Sequence, residues 1–190
     1  MAADRRVGQR ALVELAQRGD RDAFAALASD ATDRLFAVAW RILRDHELAR
    51  DAVQTAELAA WRDLRSLRDP ERFDGWLYRL LVRACYAEAR HRRTHLVQPR
   101  PLATARHGTP DPANAFADQD ELERGFRRLS PEQRAVVVFH FYLDLPLTEV
   151  AAVLGIPVGT ARSRLHYALA RLRAALEADA VVAESAEPVG

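Results

Sequence analysis

The chain contains no lysine. All 28 of its basic residues are arginine, set against 27 Asp+Glu for a formal net charge of +1. A single cysteine, Cys85, excludes an internal disulfide and any thiolate-rich zinc site. Glycine and proline are sparse, 8 and 9 residues in 190, which excludes collagen-like and low-complexity architectures. Long apolar runs are missing too: none, Ala135 to Phe139 included, is nearly long enough to span a bilayer, so no membrane insertion is expected. The first residues, Met1 to Arg6, lack the apolar centre of a signal peptide, and the expected location is cytoplasmic. What is present is 49% hydrophobic and 29% charged, too apolar for global disorder. The length suits one medium domain or two small ones.

Apolar residues recur at helical spacing along most of the chain. Leu35, Ala39, Ile42 and Leu43 share one helical face, as do Leu48, Ala52, Ala56 and Ala59. Alternating Val-rich stretches with hairpin turns are absent, so the expected fold is all-α. Between Leu12 and Arg93 the breaks are few, at Gly19-Asp20, Asp45-His46 and Arg68-Asp69-Pro70 through Asp74-Gly75. That spacing predicts a bundle of about four helices. Between His95 and Ala117 the pattern stops: Pro99, Pro101, Gly108, Pro110 and Pro112 crowd together without an apolar period, as in a flexible linker. Leu122, Phe126 and Leu129 then restart a stripe, and Ser130-Pro131-Glu132-Gln133 has the makings of a capping box with proline at the first helical position. The expected organisation is two small helical domains at 12–94 and 119–177, a linker at 95–118 and a disordered acidic tail at 178–190.

The second domain carries a helix-turn-helix pattern. Thr148 to Leu154 forms a short helix, Gly155-Ile156-Pro157 a tight turn, and Val158 to Leu176 a longer helix. Gly155 suits the left-handed residue that ends the first helix, and Pro157 prevents its continuation. Ala151 and Ala152 are small enough to let the helices cross closely. At 100° per residue, Ala161, Leu165, Ala168, Leu172 and Leu176 fall on one side of the longer helix. The other side presents Gly159, Thr160, Ser163, His166, Tyr167 and Ala170, flanked by Arg162 and Arg164. Small polar groups between arginines suit a major groove, with base edges at the centre and phosphates at the margins. A solvated basic face on an amphipathic helix would leave the same pattern.

Charge is unevenly distributed. From Trp76 to Arg106 seven arginines face one acid, Glu88, and Ile156 to Arg173 contains four arginines and no acid. Two basic helices, one per domain, look like two contacts on one polyanion. In the first, Phe73, Trp76 and Tyr78 adjoin Arg79 and Arg83. Aromatic faces beside guanidiniums suit an unstacked single strand, although Phe73 and Trp76 would serve equally as core residues. Arg90, Arg92 and Arg93 are expected to be exposed, either on phosphate or in solvent.

The ordered set of motifs resembles a bacterial RNA polymerase sigma factor of the extracytoplasmic-function (ECF) type. Arg18-Gly19-Asp20 with Ala23-Phe24, Asp51-Ala52-Val53-Gln54 ending at Trp61, and Trp76-Leu77-Tyr78-Arg79 follow sigma region 2. Leu129-Ser130-Pro131 with Gln133-Arg134, Leu154-Gly155, and Gly159-Thr160 with Arg162-Ser163-Arg164-Leu165 follow sigma region 4. The resemblance implies that Asp51, Gln54 and Leu58 dock on core RNA polymerase. It implies that Phe73, Trp76, Tyr78, Arg79, Arg83, Arg90, Arg92 and Arg93 bind the minus-ten element, capturing a flipped base of the melted single strand. It assigns Thr160, Arg162, Ser163, Arg164, His166 and Tyr167 to the duplex minus-thirty-five element. Promoter DNA and core polymerase are then the partners, a dedicated anti-sigma factor is a further one, and no cofactor is implied. The chain departs from the family's usual acidic residue, Thr and Phe after Gln54, with Thr55, Ala56 and Glu57 in their place.

Two other readings of the residues differ in class. A stand-alone helix-turn-helix regulator would use the second domain but leave Asp51–Gln54 and Trp76–Arg79 without purpose. An enzyme could use Glu88 and His91, which have the Glu-x-x-His spacing of di-iron bundles, but only one copy occurs where two are needed. The expectation is a protein that is not an enzyme, with Cys85 a small buried residue.

Overall fold

The computed structural model describes residues 2–96 and 123–186, with side chains at 7–94 and 123–177. The linker expected at 95–118 lies almost wholly outside the described residues. All described regular structure is helical.

The first unit contains α1 (Ala2–Gln17), α2 (Arg21–Leu43), α3 (His46–Asp63) and α4 (Phe73–Leu96), with short 3-10 turns at Leu64–Ser66 and Pro70–Arg72. Three aspartates start its elements. Asp20 accepts from the amides of Asp22 and Ala23, Asp45 from those of Glu47 and Leu48, and Asp69 from that of Glu71. Each carboxylate satisfies amides that the first turn leaves unpaired, and its charge suits the positive end of the helix. α2 ends at Arg44, whose left-handed backbone (φ 58°) returns its N–H to the Trp40 carbonyl at 2.7 Å. The core joins Val13, Leu35, Val38, Ile42, Leu64, Phe73 and Leu81, all nearly inaccessible. α3 buries Ala49, Ala52, Ala56 and Ala60, and these small side chains let α2 and α4 approach it closely.

The second unit contains α5 (123–128), α6 (Pro131–Val137), α7 (Leu147–Leu154) and α8 (Val158–Ala186). The capping box forms as the sequence implied: Ser130 Oγ accepts from Gln133 N at 3.3 Å, and Gln133 Oε1 accepts from Ser130 N at 3.1 Å. Gly155 ends α7 at φ 66°, a conformation that a β-carbon would strain. After α6 the chain widens into a π-helical turn, Val138–Tyr142, closed by Leu143 N to Val138 O at 3.1 Å. The wider turn buries Phe139 and leaves Phe141 and Tyr142 exposed. α8 continues to Ala186, which corrects the expectation of a disordered tail from 178. The segment is short on helix breakers and rich in alanine, the strongest helix former.

The units are packed together: α6 lies on α2 and α4, and α7 lies on α4. Tyr78 of α4 meets Phe139 edge-on, with ring centroids 5.4 Å apart. Arg134 is the only charged or polar residue among the buried described residues, 9% exposed. Its Nη1 donates to Ile42 O at the end of α2 (2.7 Å), its Nε to Phe126 O (2.9 Å), and its Nη2 reaches Arg127 O at 3.5 Å. Burial pushes its pKa down to about 10, so it keeps its charge at neutral pH. Around it, Arg44 pairs with Glu123, and the Arg41 guanidinium lies 3.8 Å from the Tyr142 ring centroid.

The Arg134→Ala variant strips donors from carbonyls at the end of α2 and in α5. At about 1–3 kcal/mol for each buried polar group left unpaired, it should lose about 2–4 kcal/mol of stability. Urea titration followed by circular dichroism reads this as a lower midpoint, and an unchanged midpoint contradicts the role given to Arg134.

Candidate nucleic-acid interface

On α8, Ala161, Leu165, Ala168 and Leu172 are buried against α6 and α7, as the helical period required. This seats the opposite face outward. Arg162, Ser163, His166 and Tyr167 are exposed, Tyr167 at 63%, while Thr160 and Arg164 are half-buried. Ser163 Oγ donates to Thr160 O at 3.1 Å, so its lone pairs remain free to accept from a base. His166 and Tyr167 meet edge-on at 5.7 Å, a paired aromatic surface beside the arginines. Arg164 sits at the edge nearest the first unit, within electrostatic reach of Glu132 and Tyr86. Burial acts to raise the Glu132 pKa, but the Ser130 hydroxyl, Arg93 and Arg164 outweigh it and hold the carboxyl below its ordinary value.

The α4 residues divide. Trp76, Arg79, Arg83 and Arg90 fall on one stripe at 100° per residue, with the three arginines exposed and Trp76 half-buried. Arg92 and Arg93 are also exposed, and Arg92 Nη1 donates to Asp45 Oδ2 at 2.8 Å. Phe73 is a core residue, 2% exposed, and has no face for a base; this corrects its assignment to the minus-ten surface. Tyr78 is also buried, 9% exposed under Phe139, and burial chiefly raises its phenol pKa. In this arrangement it is closed to a nucleic acid. Sequence spacing could not reveal this, because the covering ring comes from the other unit.

The loop before α4 is held by side chains that no local sequence signal singles out. Gln17 Nε2 donates to Leu64 O (3.1 Å) and Leu67 O (2.7 Å), stapling the loop to α1. Gln9 and Arg34 both donate to Asp74 Oδ1, at 2.9 and 3.3 Å, and fix the first turn of α4. Between these clamps, Arg65 and Arg68 are exposed. They add positive charge to the loop that precedes α4.

A third surface lies on α3. Asp51, Gln54 and Leu58 are exposed along one stripe, Leu58 at 63%. Trp61, 42% exposed, extends it and packs on Phe24 with centroids 4.9 Å apart. The departure after Gln54 is reconciled by orientation. Glu57 turns inward and accepts from Thr32 Oγ1 at 2.7 Å, tying α3 to α2, and Ala56 is buried. Thr55 alone of the three replaced positions is exposed. Leucine and tryptophan thus stand exposed between polar groups on this face.

Among the described residues no three His, Cys, Asp or Glu side chains gather as metal ligands would. Cys85 is fully buried, and its thiol is pushed up to about 12 by desolvation, so it stays protonated and inert at neutral pH. No described helix is long and apolar enough to cross a membrane.

The sequence model of Sigma-70 region 2 matches residues 27–95, and that of Sigma-70 region 4 matches residues 125–174. The ECF RNA polymerase sigma factor SigL of Mycobacterium tuberculosis is 33% identical over 160 residues, covering 80% of this chain and 90% of that one. The chain belongs to the ECF family of RNA polymerase sigma factors. SigW of Bacillus subtilis, another ECF sigma factor, is 24% identical over 173 residues, 85% of this chain and 92% of that one. Among solved structures, CnrH in complex with the cytosolic domain of CnrY superposes with a TM-score of 0.64 at 27% identity, covering 90% of this chain and 99% of that one. RpoE of Bartonella quintana, in complex with the anti-sigma factor NepR, shares the fold at a TM-score of 0.62 and 23% identity, over 82% and 98%.

The division of α4 in this sigma factor is open to measurement. Phe73→Ala should cost about 3–5 kcal/mol, as for a buried aromatic. Arg83→Ala should stay within about 0.5 kcal/mol of the parent, as for an exposed side chain. Thermal melts compare them, and a Phe73→Ala protein as stable as the parent would return that ring to the surface.

Proposed function

We propose that this sigma factor docks on core RNA polymerase through Asp51, Gln54 and Leu58 of α3 and directs it to promoters. α8 reads the duplex minus-thirty-five element: Ser163, His166 and Tyr167 meet base edges, while Arg162, Arg164 and Thr160 hold the flanking backbone. The stripe of Trp76, Arg79, Arg83 and Arg90 takes the minus-ten strand as it separates, with Arg92 and Arg93 adding positive charge. Trp76 offers a stacking face, and the arginines track the phosphates. The factor performs no chemistry of its own. Polymerase supplies catalysis, and the work takes place in the cytoplasm, where both polymerase and promoter are found.

One observation carries this reading: two outward, arginine-edged helical faces stand on separate units of a chain that matches both sigma regions. A lone helix-turn-helix regulator has no use for the α4 stripe or the α3 patch. An anti-sigma protein is an additional partner in this reading, since RpoE, which shares the fold, forms a complex with the anti-sigma factor NepR.

The test combines the purified protein with bacterial core polymerase, followed by run-off transcription on a library of genomic fragments. Stable binding and new start sites are expected. Duplex binding without core binding would instead identify a free regulator. On a promoter so recovered, Leu58→Arg should weaken core binding at least tenfold without lowering the melting temperature. Ser163→Ala or Tyr167→Ala should alter sequence preference, whereas Arg90→Ala should weaken every promoter alike. Removing one phosphate contact should flatten the log–log salt slope of holoenzyme binding by about 0.9. An Arg90→Ala effect confined to one base would contradict the division between reading and holding.

A further inference from the structure

The end of α2 and residues of the second unit bound a cleft of about 510 Å³ that none of the surfaces on α3, α4 and α8 uses. Phe126, Val137 and Val138 give it an apolar wall. The π-helical turn adds Phe141 and Tyr142, which stay 60% and 48% exposed. Widened turns of this kind recur at functional sites, and adjacent exposed rings beside an apolar wall form the sort of patch that marks a binding groove. From α2, Trp40, Arg41 and Arg44 line the same space. The Arg44 guanidinium lies 4.5 Å from the Trp40 ring centroid, and that of Arg41 lies 3.8 Å from the Tyr142 ring centroid. Each cation thus sits on a ring.

Charge in this cleft is out of balance. Glu123, paired with Arg44, is the one acid among the described residues that line it. Against that single carboxylate stand Arg41 and Arg44, with Arg127 close enough to act on Arg44 and the buried Arg134 feeling Arg44 in turn. Burial first, then Arg127 and Arg41, hold the Arg44 pKa below its ordinary value. Its Nε is buried and has no hydrogen-bond partner among the described residues. An unanswered donor on a partly desolvated cation costs free energy that an incoming acceptor of negative charge recovers.

We infer that the cleft is a binding site for a small organic anion, a carboxylate held by Arg41 and Arg44 on an apolar body that lies against Phe126, Val137 and Phe141. The volume falls within the range of small-molecule sites, about 300–1,000 Å³. Each half of the ligand answers a different part of the site. Inorganic phosphate would satisfy the guanidiniums and leave the apolar wall unused, whereas a neutral hydrocarbon would cover the wall and leave Arg44 Nε unpaired. Glu123 competes for the same guanidinium, so it sets the affinity for the incoming carboxylate. Both units supply walls, and an occupied site therefore raises the melting temperature of the chain.

The experiment titrates the full chain with 2-naphthoate by isothermal calorimetry, with acetate and the neutral 2-naphthamide as controls for the two halves of the ligand. Naphthoate should bind one to one and about tenfold or more tighter than either control, because the charge-assisted bonds and the buried rings each contribute. Arg41→Gln and Phe141→Ser should each weaken it about threefold or more, the first by removing a charged donor and the second by removing a ring. Glu123→Gln removes the competing carboxylate and should tighten binding about threefold, a gain that damage to the fold does not produce. Equal affinity for 2-naphthamide overturns the anion site, and equal affinity for acetate overturns its apolar half. Naphthoate binding that none of the three substitutions changes lies elsewhere on the chain and overturns the assignment, as does the absence of binding. A dimer in sedimentation velocity that Phe141→Ser dissolves puts a second copy of the chain on these walls and overturns the small-molecule site.

Discussion

A guanidinium satisfied by main-chain carbonyls joins the two halves of this molecule. Arg134 begins in a helix of the second unit and donates both to that unit's own α5 and to Ile42 O at the end of α2. The last carbonyls of a helix lack partners within it and carry its negative end, so a buried cation there answers two needs at once. The position of α6 on α2 fixes Phe139 over Tyr78, and α7 along α4 follows from the same placement. Desolvating the charge is costly, and the carbonyl bonds offset that cost only while the two units remain docked.

The three candidate surfaces are produced by one simple rule applied three times. In α3, α4 and α8, an apolar stripe fixes which face turns inward, and whatever occupies the opposite face is presented. In α3 that is Leu58 beside Gln54 and Asp51; in α4, Trp76 among arginines; in α8, Ser163, His166 and Tyr167 between Arg162 and Arg164. The absence of lysine suits the two faces proposed for nucleic acid, because a guanidinium can bond a phosphate through two donors or stack on a base. Rigidity comes from outside the surfaces themselves. Gln17 pins the loop before α4 through two carbonyls, and the Ser130–Gln133 box sets the start of α6.

Much of this could be read from the sequence because its signals are local. Ser130 and Gln133 are three residues apart, Gly155 is its own evidence for a left-handed turn, and the α8 stripe repeats every three or four residues. The helix breaks at Gly19-Asp20 and Asp45-His46 were visible for the same reason, since each places an aspartate where a first turn needs an acceptor. What escaped depends on partners far along the chain. Phe73 and Trp76 lie three residues apart with similar neighbours, and only the packed bundle makes one core and the other half-exposed. Tyr78 is covered by a residue of another unit, and Arg134 reads as surface charge until Ile42 O is brought beneath it. At the end of α8, small acidic residues suggested disorder, while their helix propensity carried the backbone on to Ala186.

The central claim is that separate faces of one chain hold duplex DNA and capture the opened strand. Permanganate reactivity of promoter thymines, measured together with duplex footprinting on the holoenzyme, examines both faces in one experiment. The account predicts that Trp76→Ala abolishes thymine reactivity near minus ten while protection at minus thirty-five persists, and that an α8 variant such as Arg162→Ala weakens that protection first. Loss of both signals together in Trp76→Ala, or full strand opening without Trp76, would contradict it.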